Sequence, residues 1–196
     1  KPMLKLGNKP ILEIIIERFS EQGFNQFYIS VNYLKELIKE YFNDGRNHNV
    51  NIQYLEESKP LGTAGSLSKL KGKAEKDIIV TNGDLLTQID YRSLVDYHKK
   101  NNCDITIGGR LYEHNIPYGV LEVNNSQYLK MKEKPTITKL VNAGIYVISA
   151  SILNLIENEK ELDMPDLIDK AKKNMKKIYI FPIHEYWIDV GLPETF

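Results

Sequence analysis

Asp77-Ile78-Ile79-Val80-Thr81-Asn82-Gly83-Asp84 is the stretch on which the reading of this chain turns. Its first five residues show little polar–apolar alternation, which predicts a strand buried on both faces, as strands are in α/β sheets. The strand stops at Asn82, Gly83 and Asp84, and a helix is expected from about Tyr91 to Asn101. Upstream, Ile11, Leu12, Ile15, Ile16 and Phe19 share one helical face, Gly23 ends that helix, and Gln26 to Val31 alternates as a strand. Leu34, Leu37, Ile38, Tyr41 and Phe42 then follow the spacing i, i+3, i+4, i+7, i+8, predicting an amphipathic helix capped by Asn32. Asn51 to Leu55 reads as a strand and Ala64 to Leu70 as a helix. Downstream, strands are expected at Asp104 to Gly108, Tyr118 to Val123, Gln127 to Lys132, Leu140 to Ile148, Lys177 to Ile183 and Trp187 to Val190. Asp163 should cap a helix with Pro165 in its first turn. Strand–helix alternation early and hairpins late predict an α/β domain with a Rossmann-like mixed sheet flanked by helices and a β-rich second half.

Composition narrows the partners. The 196 residues carry 26 Lys plus Arg against 26 Asp plus Glu, so no basic field attracts nucleic acid. The one cysteine, Cys103, cannot make an internal disulfide, suits a reducing cytoplasm, and reads as a small buried hydrophobe. No apolar run has the length of a membrane span. His48, His98, His114 and His184 fit no metal spacing, and no Ser–His or Cys–His pair offers a nucleophile.

In α/β sheets ligands gather beyond the carboxyl ends of strands, and four groups of residues there invite chemistry. Asp84, leaving the DIIVT strand behind Gly83, can hold a hard cation such as Mg²⁺, although a plain Asn-Gly-Asp turn explains the local sequence as well. Asp189 in Trp187-Ile188-Asp189-Val190-Gly191 is a second carboxylate at a strand end. Two such aspartates suit Mg²⁺-assisted nucleotidyl transfer. Leu61-Gly62-Thr63-Ala64-Gly65 permits close backbone approach at a helix start. Glu133-Lys134-Pro135 presents a lysine as a point charge for phosphate, or else forms part of a solvated charge run with Lys130 and Lys132.

Taken together, LGTAG (61–65), NGD (82–84), YG (118–119), EKP (133–135), NAGIY (142–146) and WIDVG (187–191) stand in the order and spacing of sugar-1-phosphate nucleotidyltransferases. The chain resembles that family from Lys1-Pro2-Met3 to Leu192-Pro193. It is particularly similar to guanylyltransferase-like members carried behind a pair of CBS domains in bacterial surface-sugar pathways. The resemblance implies a metal pair, Asp84 and Asp189, with Mg²⁺ as cofactor, and Lys134 on the phosphate of the sugar 1-phosphate. It also implies that Glu133, Gly119 and Asn142 line the sugar pocket, while Leu61, Gly62, Thr63 and Gly83 meet the nucleotide. Lys1 matches the lysine that closes the family's opening signature, where it would meet phosphate oxygens. CBS domains upstream and self-association are further expectations of the resemblance.

One part of the family pattern is not in the sequence. The signature G-x-G-T-R and the central strand before it would lie upstream of Lys1. Residues 1–196 are therefore expected to be one domain without its first strand and glycine-rich loop, weakly active or inactive alone. Residues 1–105 would form the nucleotide-binding half and 106–196 the sugar-phosphate-binding half. The implied reaction joins an NTP to a sugar 1-phosphate, releasing pyrophosphate. Glu57, five residues before Gly62, stands where the family places a base-reading side chain. A carboxylate accepts from both N1–H and the 2-amino group of guanine, so GTP is the expected nucleotide; Glu56 could take the same role. Glucosamine 1-phosphate and mannose 1-phosphate remain open as the sugar. The competing readings are a non-catalytic nucleotide-sugar-binding regulatory domain and, further off, a glycosyltransferase, which would want a D-x-D pair.

Overall fold

The computed structural model describes residues 2–190. A short hairpin of β1 (Lys5–Leu6) and β2 (Lys9–Pro10) leads into α1 (Ile11–Glu21), β3 (Gln26–Val31), α2 (Lys35–Phe42) and β4 (Asn51–Glu56). Next come α3 (Gly62–Gly65), running on as a 3₁₀ turn over Ser66–Leu70, then β5 (Ile78–Thr81), β6 (Leu85–Thr87) and α4 (Tyr91–Lys100). The second half holds β7 (Ile105–Asn115), β8 (Val120–Asn124), β9 (Gln127–Lys132), β10 (Thr136–Ile148), α5 (Met164–Lys173), β11 (Ile178–Ile183) and β12 (Trp187–Asp189).

The central sheet has the order β11-β7-β10-β5, with β11 parallel to β7 and the other pairs antiparallel. β3 and β4 form a parallel pair, β6 and β12 an antiparallel one, and β8–β9 a hairpin. The mixed α/β architecture agrees with the alternation of periods in the sequence. β10 shows why the sheet is central. Tyr146 and Ile148 pack into a core with Leu67, Leu70, Leu153 and Leu167, while Ile145 and Val147 point the other way, onto Ile15, Phe19, Leu85 and Leu94. A strand with period-2 side chains buried on both faces needs a layer on each side.

β5 departs from the expectation of full burial: Ile78 to Thr81 are all only half-buried. The reason is its second edge. β5 pairs with β10 on one side, β3 pairs with β4 on one side, and the two remaining edges face a shared slot of about 1140 Å³. Ile15 and Phe19 from α1, and Leu67 and Leu70 from the 3₁₀ turn, line the slot along with both strands.

Two smaller expectations also change. α2 starts at Lys35, and its N-cap is Leu34 in the left-handed region (φ 58°) with no side-chain cap bond, so Asn32 does not cap it. Only Ile38 and Phe42 of its apolar set are buried; Leu34, Leu37 and Tyr41 are exposed. β7 and β10 run 11 and 13 residues, longer than the apolar pattern predicted. Their outer halves pair with each other beyond the core, so Leu111 and Leu140 sit opposite one another in solvent.

Candidate active site

The site begins with an irregularity in β10. Between Asn142 and Tyr146 the pairing with β7 shifts register, and the extra residues bend out toward Asn82. Gly144 takes φ +69°, the left-handed region that suits glycine. Its carbonyl accepts the Asn82 N–H at 3.2 Å. Asn142 braces the bulge from within, accepting the Gly144 N–H at 3.0 Å through Oδ1 and donating Nδ2–H to the Tyr146 hydroxyl at 2.6 Å. Burial pushes the Tyr146 phenol up, with the Asn142 bond opposing.

The bulge also anchors the last strand. Trp187 donates its indole N–H to the Ala143 carbonyl at 2.9 Å. The Arg110 guanidinium lies 5.9 Å from the centre of the Trp187 ring and donates to the Glu185 carbonyl at 2.6 Å. β12 then pairs with β6 so that Asp189 stands opposite Leu85, and the Val190 N–H reaches the Asp84 carbonyl at 2.9 Å. Asp84, at the entry to β6, and Asp189, at the end of the antiparallel β12, thus stand at adjacent strand ends although 105 positions apart in the sequence. Among the described residues no group of three or more His, Cys, Asp or Glu side chains is arranged around a cation. The aspartate pair still fits a hard ion, because Mg²⁺ usually takes one or two carboxylates and completes its shell with water and substrate phosphates.

Beside this junction lies a pocket of about 280 Å³. Its walls include Ser30 and Asn32 at the end of β3, Thr81 and Asn82 at the end of β5, Glu57, Gly62, Thr63, Tyr146 and Met164. Glu57 is held at both carboxylate oxygens: Oε1 accepts the Ser30 hydroxyl and Oε2 the Leu61 N–H at 2.9 Å. Leu61 is fully buried, so its side chain belongs to the core and its backbone to the loop.

The LGTAG segment is tied to a part of the chain 100 positions away. Gly62 has φ +73°, and a Cβ there would come 2.7 Å from the Leu162 carbonyl oxygen. Ala64 and Gly65 donate to that same carbonyl at 2.9 and 3.0 Å, and Leu162 returns a bond to the Leu61 carbonyl at 2.9 Å. Asp163 was expected to cap α5, and its side chain does not. Its Oδ1 instead accepts both the Thr63 N–H (2.9 Å) and the Thr63 hydroxyl (3.1 Å). The Thr63 hydroxyl oxygen accepts the Met164 N–H at 2.7 Å, so the α5 terminus is capped from across the fold.

A second group stands apart from the pocket at the base of the β8–β9 hairpin. Lys134 adopts φ +42°, uncommon for a side-chain-bearing residue, and donates its N–H to the Tyr118 carbonyl at 3.2 Å. Gly119 lies against Glu133: a Cβ on it would be 3.0 Å from Glu133 Oε2. The YG and EKP motifs therefore meet, as one unit. Neither they nor Asn142 line the 280 Å³ pocket, although Asn142 touches its wall through Tyr146. Lys1 and the Gly191-Leu192-Pro193 end of the last motif lie outside the described residues.

Sequence reasoning overlooked Ser30, Arg110 and Tyr146 and gave Asp163 another job. A serine at a strand end carries no signal by itself, and the Thr63–Asp163 contact has no sequence spacing to read.

The Nucleotidyl transferase family profile matches residues 1–196. D-glycero-α-D-manno-heptose 1-phosphate guanylyltransferase of Aneurinibacillus thermoaerophilus is 31% identical over all of this chain and 86% of its own length. Mannose-1-phosphate guanyltransferase of Yarrowia lipolytica is 32% identical over all of this chain, which spans only 56% of that enzyme. Among solved structures, HddC of Yersinia pseudotuberculosis superposes with a TM-score of 0.75 at 25% identity, covering 99% of this chain and 85% of the other. An inositol-1-phosphate CTP transferase of T. maritima shares the fold, with a TM-score of 0.72 at 16% identity over 100% of this chain and 82% of that one. With a profile match from end to end and relatives 31% and 32% identical over its whole length, the chain belongs to the Nucleotidyl transferase family.

Proposed function

We propose that this chain transfers a guanylyl group from GTP to a sugar 1-phosphate, giving a GDP-sugar and pyrophosphate. The observation that carries the reading is the junction at the β10 bulge, where Asn82–Gly144, Trp187–Ala143 and Val190–Asp84 bonds draw three motifs together. A phosphate oxygen of the sugar 1-phosphate attacks the α-phosphorus of GTP as the bond to pyrophosphate breaks. The attacking group is already an anion, so no protein nucleophile is required, and catalysis is positioning plus charge neutralisation. Asp84 and Asp189 would hold Mg²⁺, which when bound supplies positive charge to the phosphate oxygens. Lys134 would hold the attacking phosphate, Glu133, Gly119 and Asn142 the sugar, and Gly62, Thr63 and Gly83 the nucleotide. The Ser30 and Leu61 bonds fix the Glu57 carboxylate in the pocket wall and leave further lone pairs for the N1–H and 2-amino donors of guanine. The relatives act on D-glycero-α-D-manno-heptose 1-phosphate and mannose 1-phosphate, which favours a manno-configured sugar over glucosamine.

The slot between β3 and β5 supports the domain reading. Both strands run toward the pocket, since Ser30 and Asn32 close one and Thr81 and Asn82 the other. A strand apolar on both faces, placed parallel between them, would satisfy two open edges and end at the site. We assign this place to the family's first strand, followed by its glycine-rich loop. The test is pyrophosphate release with GTP, UTP, dTTP and CTP against mannose, manno-heptose and glucosamine 1-phosphates. It is run on this chain and on one extended upstream by the strand and loop. GTP-dependent turnover in the extended form is expected, with Glu57→Gln eroding the preference for GTP. Nucleotide-sugar binding without turnover in either form would replace the transferase by a regulatory binding domain.

A further inference from the structure

We infer that Asp163 is a positioning residue for nucleotide binding: through Thr63 it holds the Gly62–Thr63 wall of the pocket in its ligand-facing shape. The inference rests on the guanylyltransferase reading of the same site and goes beyond it, since Asp163 lies in none of the six motifs that carry that reading. One carboxylate oxygen takes two donors from a single residue, the Thr63 N–H and hydroxyl. A bond to an ionised acceptor is stronger than a neutral one, and the pair fixes both the backbone and the χ1 rotamer of Thr63. Because its proton goes to Asp163, the hydroxyl turns its oxygen toward the Met164 N–H. Thr63 and Met164 both line the pocket. Gly62 sits immediately before, in a left-handed conformation with the Leu162 carbonyl so near that no Cβ would fit. Glycine takes that conformation without strain and has many others open to it, so what fixes the loop in this one is its surroundings. Here the surroundings are the strap at 162–164: Leu162 supplies the backbone bonds, the Asp163 carboxylate accepts both Thr63 donors, and the Met164 N–H donates to the Thr63 hydroxyl.

Stability alone would be served by any acceptor that fills the space; positioning of the wall is a claim about affinity for one ligand. The measurement is calorimetric titration of the protein with GDP and, separately, with mannose 1-phosphate, for the wild type and for Asp163→Ala, Asp163→Asn and Thr63→Val. Asp163→Asn keeps an oxygen for both donors, and Thr63→Val keeps the shape and the amide bond. The expected pattern is a loss of about tenfold or more in GDP affinity for Asp163→Ala, near-wild-type binding for Asp163→Asn, and an intermediate loss for Thr63→Val. Mannose 1-phosphate affinity should change less than twofold throughout. Should Asp163→Ala not fold, Thr63→Val against Asp163→Asn carries the same comparison. GDP affinity unchanged in Thr63→Val and Asp163→Ala, with the wild type binding GDP, overturns the role of Asp163 and leaves the transferase reading intact. A wild type that binds no guanine nucleotide overturns both.

Discussion

Asn82 and Gly144 are locked together: the Asn82 N–H donates to the Gly144 carbonyl at 3.2 Å, and a Cβ on Gly144 would stand 2.8 Å from Asn82 Nδ2. The strand-end turn that carries Asp84 is therefore shaped by the bulge in β10. Gly144→Ala meets a strained φ of +69° and a contact on a residue that has its own backbone bond to keep. A loss of about 1–3 kcal/mol is expected, read as a lower Tm. Turnover in the extended form should fall further than stability does, because Asp84 moves with Asn82.

Trp187 offers a second test of the same junction. Trp187→Phe keeps an aromatic ring, though a smaller one, and removes the indole N–H, leaving the Ala143 carbonyl without its donor. An unmet buried acceptor costs about 1–3 kcal/mol, measurable by urea denaturation. Arg110→Lys should give a milder loss, since an ammonium cannot both stack on the ring and keep the fork geometry that reaches the Glu185 carbonyl.

Lys134 should separate the two substrates. Its placement beside Tyr118 and Glu133, away from the 280 Å³ pocket, predicts that Lys134→Met raises the KM for sugar 1-phosphate and leaves that for GTP nearly unchanged. A charge-assisted bond is worth about 1.5–3 kcal/mol, so a rise of roughly tenfold to a hundredfold is expected in steady-state kinetics. Equal effects on both substrates would remove Lys134 from the sugar-phosphate side.

A pH dependence follows from His98, buried between α4 and the sheet with Nδ1 2.8 Å from the Thr106 hydroxyl and Nε2 3.2 Å from the Ser149 hydroxyl. Burial pushes its pKa below the ordinary histidine value; Asp77 and Asp104 oppose this and Lys99 adds to it. The folded state thus binds a proton less readily than the unfolded chain. Stability from this group is fully present above about pH 6.5, the unfolded value, and declines as pH falls below it toward the folded pKa. Thermal melts from pH 7.5 to 5.5 should show a falling Tm, and His98→Gln should flatten that slope.

The sequence was most legible where one face decides the structure. Gln26–Val31 was read to the residue and α4 to within one, because alternation or an amphipathic stripe marks them. Burial of β5 was misread because its apolar run is the same whether the second edge is filled or open. Asp163 does hold the N-cap position of α5, with Pro165 in the first turn, but neither its side chain nor that of Asn32 makes the expected cap bond: a cap residue is a local pattern, and long-range contacts or a left-handed Leu34 take over. The six motifs located the candidate site, but their grouping into a pocket and a separate Gly119–Glu133–Lys134 unit came only from the register of β7, β8, β9 and β10.

The tie between Leu61–Gly65 and Leu162–Met164 has a consequence for how the molecule comes into being. About a hundred residues must be made before the loop meets its strap, and closing so long a span is slow compared with local pairing. During synthesis the front of the chain emerges first, so Gly62 and Thr63 wait through all of β5 to β10 without the partners that hold them. The pocket is among the last parts to take shape, and a nascent chain stopped short of residue 162 has the Gly62–Thr63 segment in hand but no wall.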